Sequence, residues 1–570
     1  MAKTKLLLLA LLASFSSFAQ IANRYDVVIT EIMADPSPVV GLPNAEFIEI
    51  KNVSANSFNL NGWRLSDAST TATITATFIL QPDSTVILCA NGNIAAFSIY
   101  GRTIGVTSFP SLDNDGDVLT FRSPQNRIIH FISYNTEWYS NEAKKEGGWT
   151  LEMIDPKNAC GGKYNWKASV NNLGGTPGKT NSVNANNADN TAPQLKRAFT
   201  TDSVTVVLQF NESLDSTSGA LISNYSLPGF TIISAIVMMP QFQEVQLKLS
   251  SPLQAATVYT ITANTVTDCK GNAIGAFNKA RIGMPQTPLP NDVVINEILF
   301  NPRSGGYDYV EFYNRSSKII DASKLYIANR NTSGIVSSLN KLSEDPFLIF
   351  PGDYIVVTED AANLKLQFLV KNEDAVLQLS SLPSFPDDKG NPVLIHLNGD
   401  IIDEVRYDDD WHFGLIDNEE GVSLERIDPN ALSTNRSNWH SAASTAGYGT
   451  PGYQNSQYKL AQDIKAEIEV SPKIFSPDND GRDDIATINY QVEEQGYVAN
   501  VIIFDASGRT VRHLVKNDLL ALKGSWNWDG LGETKNKLAI GPYIVFTEIF
   551  NLQGKKKSFK KTIVLARQLN

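Results

Sequence analysis

Cysteine, histidine and methionine are scarce: the 570 residues hold 3, 5 and 6 of them. So few cysteines exclude a disulfide-dense array of mini-domains and any zinc framework of four thiolates. His130, His396, His412, His440 and His513 are scattered, with no metal-ligand spacing such as H-E-x-x-H. Positive charge is also short, with Lys+Arg 48 against Asp+Glu 60 and a net charge of −12. That balance argues against a nucleic-acid binder or a binder of anionic membranes, because phosphate affinity comes mainly from clustered Lys and Arg. No stretch approaches the ~18 continuous apolar residues of a membrane span. Long helical periodicity is missing, and only 93–100 and 361–368 read as short helices. No G-x-S-x-G elbow occurs, which leaves a serine hydrolase of that kind unsupported.

Hydrophobic residues at 42% and charged residues at 19% are enough for packed cores. The length suggests roughly three to five domains of about 100–200 residues each. Residues 1–19 read as a secretory signal, with Lys3 and Lys5, the apolar run Leu6 to Leu12, and small residues around Ala19. Its removal takes both lysines with it and carries the net charge from −12 to −14. The mature chain is expected to be exported, secreted or held on the outer cell surface, without a membrane span.

An internal repeat organises the rest. Val28-Ile29-Thr30-Glu31-Ile32 recurs as Val294-Ile295-Asn296-Glu297-Ile298, and Glu46-Phe47-Ile48-Glu49-Ile50 as Asp308-Tyr309-Val310-Glu311-Phe312. Leu151-Glu152-Met153-Ile154-Asp155-Pro156 recurs as Leu424-Glu425-Arg426-Ile427-Asp428-Pro429. Asn165-Trp166 matches Asn438-Trp439, and Thr176-Pro177-Gly178 matches Thr450-Pro451-Gly452. Matches that recur in the same order mean two copies of one domain, 22–182 and 292–456. Residues 194–285 lie between them and 466–570 after them, joined by segments of linker composition. Segments such as 204–210, 244–249 and 501–504 are Val- and Ile-rich strands bounded by Gly, Pro, Asn and Asp. The fold class is all-β, a tandem series of Ig-like β-sandwich domains.

The repeated unit resembles the lamin-tail domain in its bacterial secreted form, through the I-x-E-I opening, the E-F-I-E-I strand, Asn61-Gly62-Trp63 and the closing T-P-G. The second copy has Lys324-Leu325-Tyr326 where the first has the Gly-Trp pair. Residues 194–285 resemble the Ig-like domain of bacterial surface-layer proteins, through Phe210-Asn211-Glu212-Ser213-Leu214 and Val266-Thr267-Asp268 with Gly271-Asn272. Residues 466–570 are similar to the C-terminal Ig-like module of hook-capping and gliding-type surface proteins. The carrying residues are Phe475-Ser476-Pro477-Asp478, Trp526-Asn527-Trp528-Asp529-Gly530 and Gly541-Pro542-Tyr543. That resemblance implies a C-terminal sorting signal for type IX secretion, with the basic tail 555–567 as its candidate. An ordinary basic edge strand is the other reading.

Cys89 and Cys160 fall in the first copy, where the second has Thr358 and Ser433. Their joint absence from the second copy predicts a Cys89–Cys160 disulfide, which export permits; Cys269 is then left over. Asp478, Asp480 and Asp484 in the loop 476–484, with Gly481 for a sharp turn, suggest calcium. The shorter run 113–117 reads as an Asp-Gly turn or a lesser calcium loop. Gly174-Gly175-Thr176-Pro177-Gly178-Lys179-Thr180 mimics a phosphate loop but has Leu173 where the first Gly belongs, so it reads as a closing turn. Glu31 with Glu49, and Glu297 with Glu311, pair as a glycosidase would require, or anchor loops by hydrogen bonds. The run 408–412, three aspartates beside Trp411 and His412, lines a groove or forms a solvated loop. The eight tryptophans, if exposed in a row, would suit sugar stacking or protein contact.

The expected protein is a non-catalytic secreted or cell-surface chain acting in adhesion, display or envelope scaffolding. It needs no cofactor, with calcium as the exception, and its partner is an extracellular protein or glycan, not nucleic acid. The alternatives are a glycan- or protein-binding accessory module and an unrecognised secreted hydrolase.

Overall fold

The computed structural model describes residues 21–567 apart from 332, 415, 417, 459–465, 479, 481 and 553; the expected leader, 1–19, lies outside the described residues. The chain divides into two compact units. The first comprises Met1–Leu289, Ser316–Leu325 and Lys341–Asp353; the second comprises Pro290–Arg315, Tyr326–Asn340 and Tyr354–Asn570. Both are built mainly of antiparallel strand pairs, with a parallel pair at the margin of each six-stranded sheet.

The first sandwich sets a six-stranded sheet against a four-stranded one. The larger runs in the order Trp166–Ala168, Leu151–Met153, Val27–Met33, Phe47–Asn52, Thr85–Ala90, Thr103–Val106. Every residue of Val27–Met33 is buried, because both faces of this sheet are covered. Alternation sends Ile32, Ile48, Ile50, Val86 and Leu88 into the core between the sheets. The outward face carries Met33, Phe47, Ile87 and Cys89, roofed by Phe97 of the short helix Ile94–Phe97.

The Ig-like part of the first unit pairs Leu195–Asp202, Thr205–Phe210, Glu244–Leu249 and Ile232–Met238, opposite Tyr225–Ser226, Tyr259–Ala263 and Lys279–Ile282. Its core is not closed by 194–285 alone. Ile319, Leu348 and Phe350 join it, and Ile320–Asp321 pairs with Leu348–Ile349 beside it. Arg281 grips Asp353 with two hydrogen bonds of 2.7 and 3.0 Å, and its guanidinium lies over the Phe350 ring. The proline-rich 284–291 therefore runs along packed chain, with the Gln286 amide donating to the Ile319 carbonyl at 2.7 Å.

The second unit repeats the first sheet strand for strand. Val293–Leu299 pairs with Tyr309–Asn314 and with Leu424–Arg426, and the register shifts between Ile295 and Glu297 where the first copy shifts between Ile29 and Glu31. One buried position is filled differently. In the first copy the Ile29 amide donates to His130 Nδ1; in the second the Ile295 amide donates to Asp403 Oδ2. Asp403 in turn holds Arg426 at 3.1 Å, both side chains almost fully buried, where the first copy has Met153. Burial, with the nearby Arg24 charge adding to it, pushes His130 down to about 3, so it is neutral and can accept.

The C-terminal region sets Ala466–Ser471, Ala486–Val492 and Lys523–Trp528 against a five-stranded sheet over the fully buried Trp528. The basic tail is the strand Lys556–Leu565. It pairs along its length with Gly541–Asn551, and on its other side Val564 and Leu565 pair with Ile474–Phe475. Its lysines thus run along a sheet edge, the charge that discourages edge-to-edge pairing.

The expected Cys89–Cys160 disulfide does not form. Cys160 bonds Cys269, 109 residues on, with the Cα atoms 6.4 Å apart, and Cys89 is a free, buried thiol. Cys89 faces the Phe97 roof and packs as a small hydrophobe, which pushes its thiol up to about 11. Cys160 instead leaves the sandwich at the end facing the Ig-like part. The bond ties two modules together. Peptide mapping under non-reducing conditions should recover Cys160 linked to Cys269 and Cys89 as a thiol that reacts only after denaturation. Replacing both Cys160 and Cys269 by Ser should cost roughly 2–4 kcal/mol of stability by calorimetry, from the long loop released in the unfolded chain.

Candidate functional site

Three glutamates meet on the outward face of the first large sheet. The register sets Glu31 opposite both Glu49 and Glu152, and all three are buried. They are covered by the chain that returns across the sheet after Trp166–Ala168. That return is irregular, so its amides need acceptors that the sheet face can provide only through side chains. Glu31 Oε1 accepts from the Thr176 amide at 2.6 Å and the Thr150 hydroxyl at 2.8 Å. Glu49 Oε2 accepts from the Gly178 amide at 2.6 Å. Glu152 accepts from the hydroxyls of Thr176 and Ser182, both at 2.8 Å, and from the Val183 amide. Asn181 completes the clamp by donating to the carbonyls of Thr30 and Met153. Gly178 is needed at its place: its φ is +74°, and a Cβ there would lie 2.4 Å from the Tyr100 carbonyl oxygen.

The second copy builds the same clamp from Glu297, Glu311 and Glu425. Glu297 Oε1 accepts from the Thr450 amide and from the Tyr309 hydroxyl at 2.6 Å; Glu311 accepts from the Gly452 amide at 2.6 Å. Glu425 accepts from the Ser456 hydroxyl and the Gln457 amide, both at 2.7 Å. The Thr450 hydroxyl lies 2.9 Å from Glu297 Oε2 and also 2.9 Å from Glu425 Oε1. One hydroxyl carries one proton. Either that proton is shared between the two, or one carboxyl carries its own proton and donates back. Burial, and then the Glu425 charge, raise Glu297 to about 7.

The loop-anchoring reading of Glu31, Glu49, Glu297 and Glu311 thus describes their contacts. Glu152 and Glu425 complete each set, and sequence reasoning passed over them inside the L-E-x-I-D-P motif. Their recurrence in the same motif of both copies was the available signal. The phosphate-loop mimic 174–180 does present amides to an anion, but the anion is the protein's own glutamate.

The remaining candidates fall elsewhere. Asp478, Asp480 and Asp484 each bring an oxygen within 4.8 Å of the others. The loop is folded on itself, with the Asp478 amide donating to Asp484 Oδ1 at 3.1 Å and the Arg482 amide to Asp480 Oδ1 at 2.8 Å. Asp408, Asp409 and Asp410 form a second such group, in which Asp408 pairs with Lys389 at 2.8 Å. His412 is turned inward to the Ser441 hydroxyl at 2.9 Å. Of the eight tryptophans, Trp63, Trp138, Trp166, Trp439 and Trp528 are buried and Trp149, Trp411 and Trp526 half-buried. They form no exposed row.

A cleft of about 880 Å³ opens within the first unit, where the first sandwich meets the Ig-like part. Trp138, Tyr164 and Trp166 line it from one side, Glu212 and Gln243 from the other, and Asp189 from the connecting segment. A third acidic group, Asp189, Glu212 and Asp268, stands at this junction, with an oxygen of each within 4.8 Å of the others.

The chain carries a lamin-tail domain and a bacterial Ig-like domain: residues 20–136 match the family described as Lamin Tail Domain, and 179–280 the one described as Bacterial Ig-like domain. No curated protein matches the sequence. Among solved structures, the N-terminal part of the bacterial S-layer protein SbsC is 14% identical, over 29% of this chain and 40% of that one, with a TM-score of 0.16. The chain therefore spans less than half of that structure. A DUF4876 family protein from Bacteroides thetaiotaomicron is 14% identical over 41% of this chain and 90% of its own, with a TM-score of 0.18. The Yersinia pseudotuberculosis adhesin InvE is 11% identical over 43% and 71%, with a TM-score of 0.15.

The buried glutamates make stability depend on pH. Burial raises Glu49 to about 7; burial and neighbouring glutamates raise Glu31 and Glu311 well above the ordinary value of 4.5. Between the ordinary and the raised value the folded state binds more protons than the unfolded one, so stability falls as pH rises. The contribution is complete below about pH 4.5 and is lost as pH climbs through 7, at up to about 1.4 kcal/mol per pH unit for each group. The urea midpoint should therefore fall between pH 5.5 and 8. Glu49→Gln, which can still accept from Gly178 and can donate to Thr30, should flatten that fall.

Proposed function

We propose that this is a non-catalytic exported protein of the cell surface, a series of β-sandwich modules that presents loops to an extracellular partner in adhesion, display or envelope scaffolding. The observation that carries the reading is the Cys160–Cys269 bridge. It joins two modules covalently, and such a bond persists in an oxidising compartment outside the cytoplasm. The lamin-tail and Ig-like matches support it, since neither family brings a catalytic group. In this reading 292–456 is a second lamin-tail domain, supported by its identical strand register and glutamate clamp. The modules are 22–182, 194–285, 292–456 and 466–570, the leader 1–19 directs export, and the basic strand near the C-terminus serves sorting by a type IX route.

Protease treatment of intact cells that make the protein checks the reading. Peptides from 22–456 should be released, and residues near 570 should be missing from the mature chain. Full protection with an intact C-terminus would place the chain inside the envelope and remove the adhesive role.

Calcium at Asp478, Asp480 and Asp484 belongs to the same proposal, supported by the convergence of the three carboxylates. Isothermal titration of the purified chain should show binding in the range of extracellular calcium modules, about 0.1–1 mM. Asp480→Asn should weaken it. No heat up to millimolar calcium would remove it.

A further inference from the structure

The cleft between the first sandwich and the Ig-like part is lined by two carboxylates, Asp189 and Glu212, and one cation, Lys163, whose ammonium lies at the Tyr164 ring. Glu212 lines it, yet Glu212 Oε1 is screened from solvent and accepts no hydrogen bond. A carboxylate oxygen in that position has lost water without replacement, which penalises its charged form. Asp189, which also lines the cleft, and Asp268, behind it, lie close enough to add repulsion. Asp268 is already satisfied by the amides of Lys270 and Asn272 and by the Asn272 side chain; Asp189 Oδ1 is held by Thr191. The unmet demand is thus at Glu212, for a donor that carries positive charge.

The opposite wall says what kind of cation. It is aromatic: Tyr164 is 80% exposed and stands beside the buried Trp138 and Trp166. Ring faces attract cations and shelter alkyl stems. Lys163 Nζ already stands 5.6 Å from the Tyr164 ring centroid, so that ring is in use as a cation platform. A hydrated metal ion would leave the rings and most of the volume without a role. A neutral sugar would use the rings and leave the carboxylates uncompensated. A lysine or arginine side chain uses both, its stem along the exposed Tyr164 ring and its head toward Glu212.

We propose that this cleft binds a cationic side chain, lysine or arginine, presented on an extended basic segment of a partner protein. The proposal rests on the partner-binding reading above and deepens it. Its test uses purified protein, so its failure would be independent of where the chain resides in the cell.

The probe is the blocked tripeptide acetyl-Ala-Arg-Ala-amide, titrated calorimetrically into the full disulfide-bonded chain, with the citrulline analogue as a neutral control of equal shape. Saturable binding is expected, weakened about tenfold or more, some 1.4 kcal/mol, by the citrulline change and by Glu212→Gln. Asp189→Asn, on the connecting segment, should weaken it as well. Because Glu212→Gln removes a poorly solvated charge, it should fold at least as well as the parent. Equal binding of the two peptides, or no saturable heat at millimolar peptide, overturns the proposal. Binding of calcium that Glu212→Gln abolishes, without peptide binding, would make the junction a metal site and overturn it too. Retention of a neutral oligosaccharide with unchanged affinity in Glu212→Gln would do the same in favour of a glycan.

Discussion

Each repeated sandwich depends on three buried glutamates that supply acceptors to a segment with no strand of its own to pair with. The return chain 169–183 crosses the outward face of a six-stranded sheet, a surface otherwise made of Phe47, Ile87 and Cys89. Covering that face with irregular backbone would strand several amides in an apolar layer. Covering it with a helix would need a longer amphipathic segment than the chain contains. Glutamates rising from adjacent strands solve this because their side chains are long enough to reach past the face and meet the amides. The cost is three carboxyls in one dry space, and at least one of them is relieved by keeping its proton.

That arrangement explains why the repeat is so visible. Its most recurrent residues, Glu31 and Glu297, Glu49 and Glu311, Glu152 and Glu425, Thr176 and Thr450, are the two halves of one clamp. Changing either half leaves a buried charge or a buried amide unpaired. The apolar positions of the same strands vary more freely, Phe47 against Tyr309 for example, because volume and not chemistry is what they supply. Even Tyr309 conforms, its hydroxyl being taken up by Glu297.

The fold class, the two copies and their strands were legible because period-two alternation and turn residues are local signals. The closing turn was legible too, once the mimicry of a phosphate loop had been tested against its context. The disulfide was not. Comparing the copies correctly marked Cys89 and Cys160 as missing together from the second, but they are missing for different reasons. Cys89 gives way to Thr358, whose hydroxyl bonds the Asp308 carbonyl within the same layer. Cys160 gives way to Ser433, which bonds Arg426 and Asp403 in a buried polar network that the first copy lacks. Pairing with Cys269 depends on how two modules dock, and no local pattern records that. The same is true of Glu212, which reads as part of a strand-end motif and gains its character from Asp189, a residue of the connecting segment.

The disulfide also changes what the first clamp has to withstand. The chain from Cys160 to Cys269 contains the whole return segment, with Thr176, Gly178 and Val183, and the connection to the Ig-like part. Tension applied along the chain passes through the sulfur bridge and does not load those hydrogen bonds. The connection itself is stitched down, with the Ala185 amide on the Ile154 carbonyl and the Asn187 amide on Asp155. In the second copy Ser433 can form no such bridge, and the chain leaves directly from Ser456 and Gln457, both held by Glu425. The two copies share one packing solution, and the covalent bond distinguishes them: a pull along the chain would bypass the first clamp through the sulfur bridge and would meet the second at its carboxyl cluster.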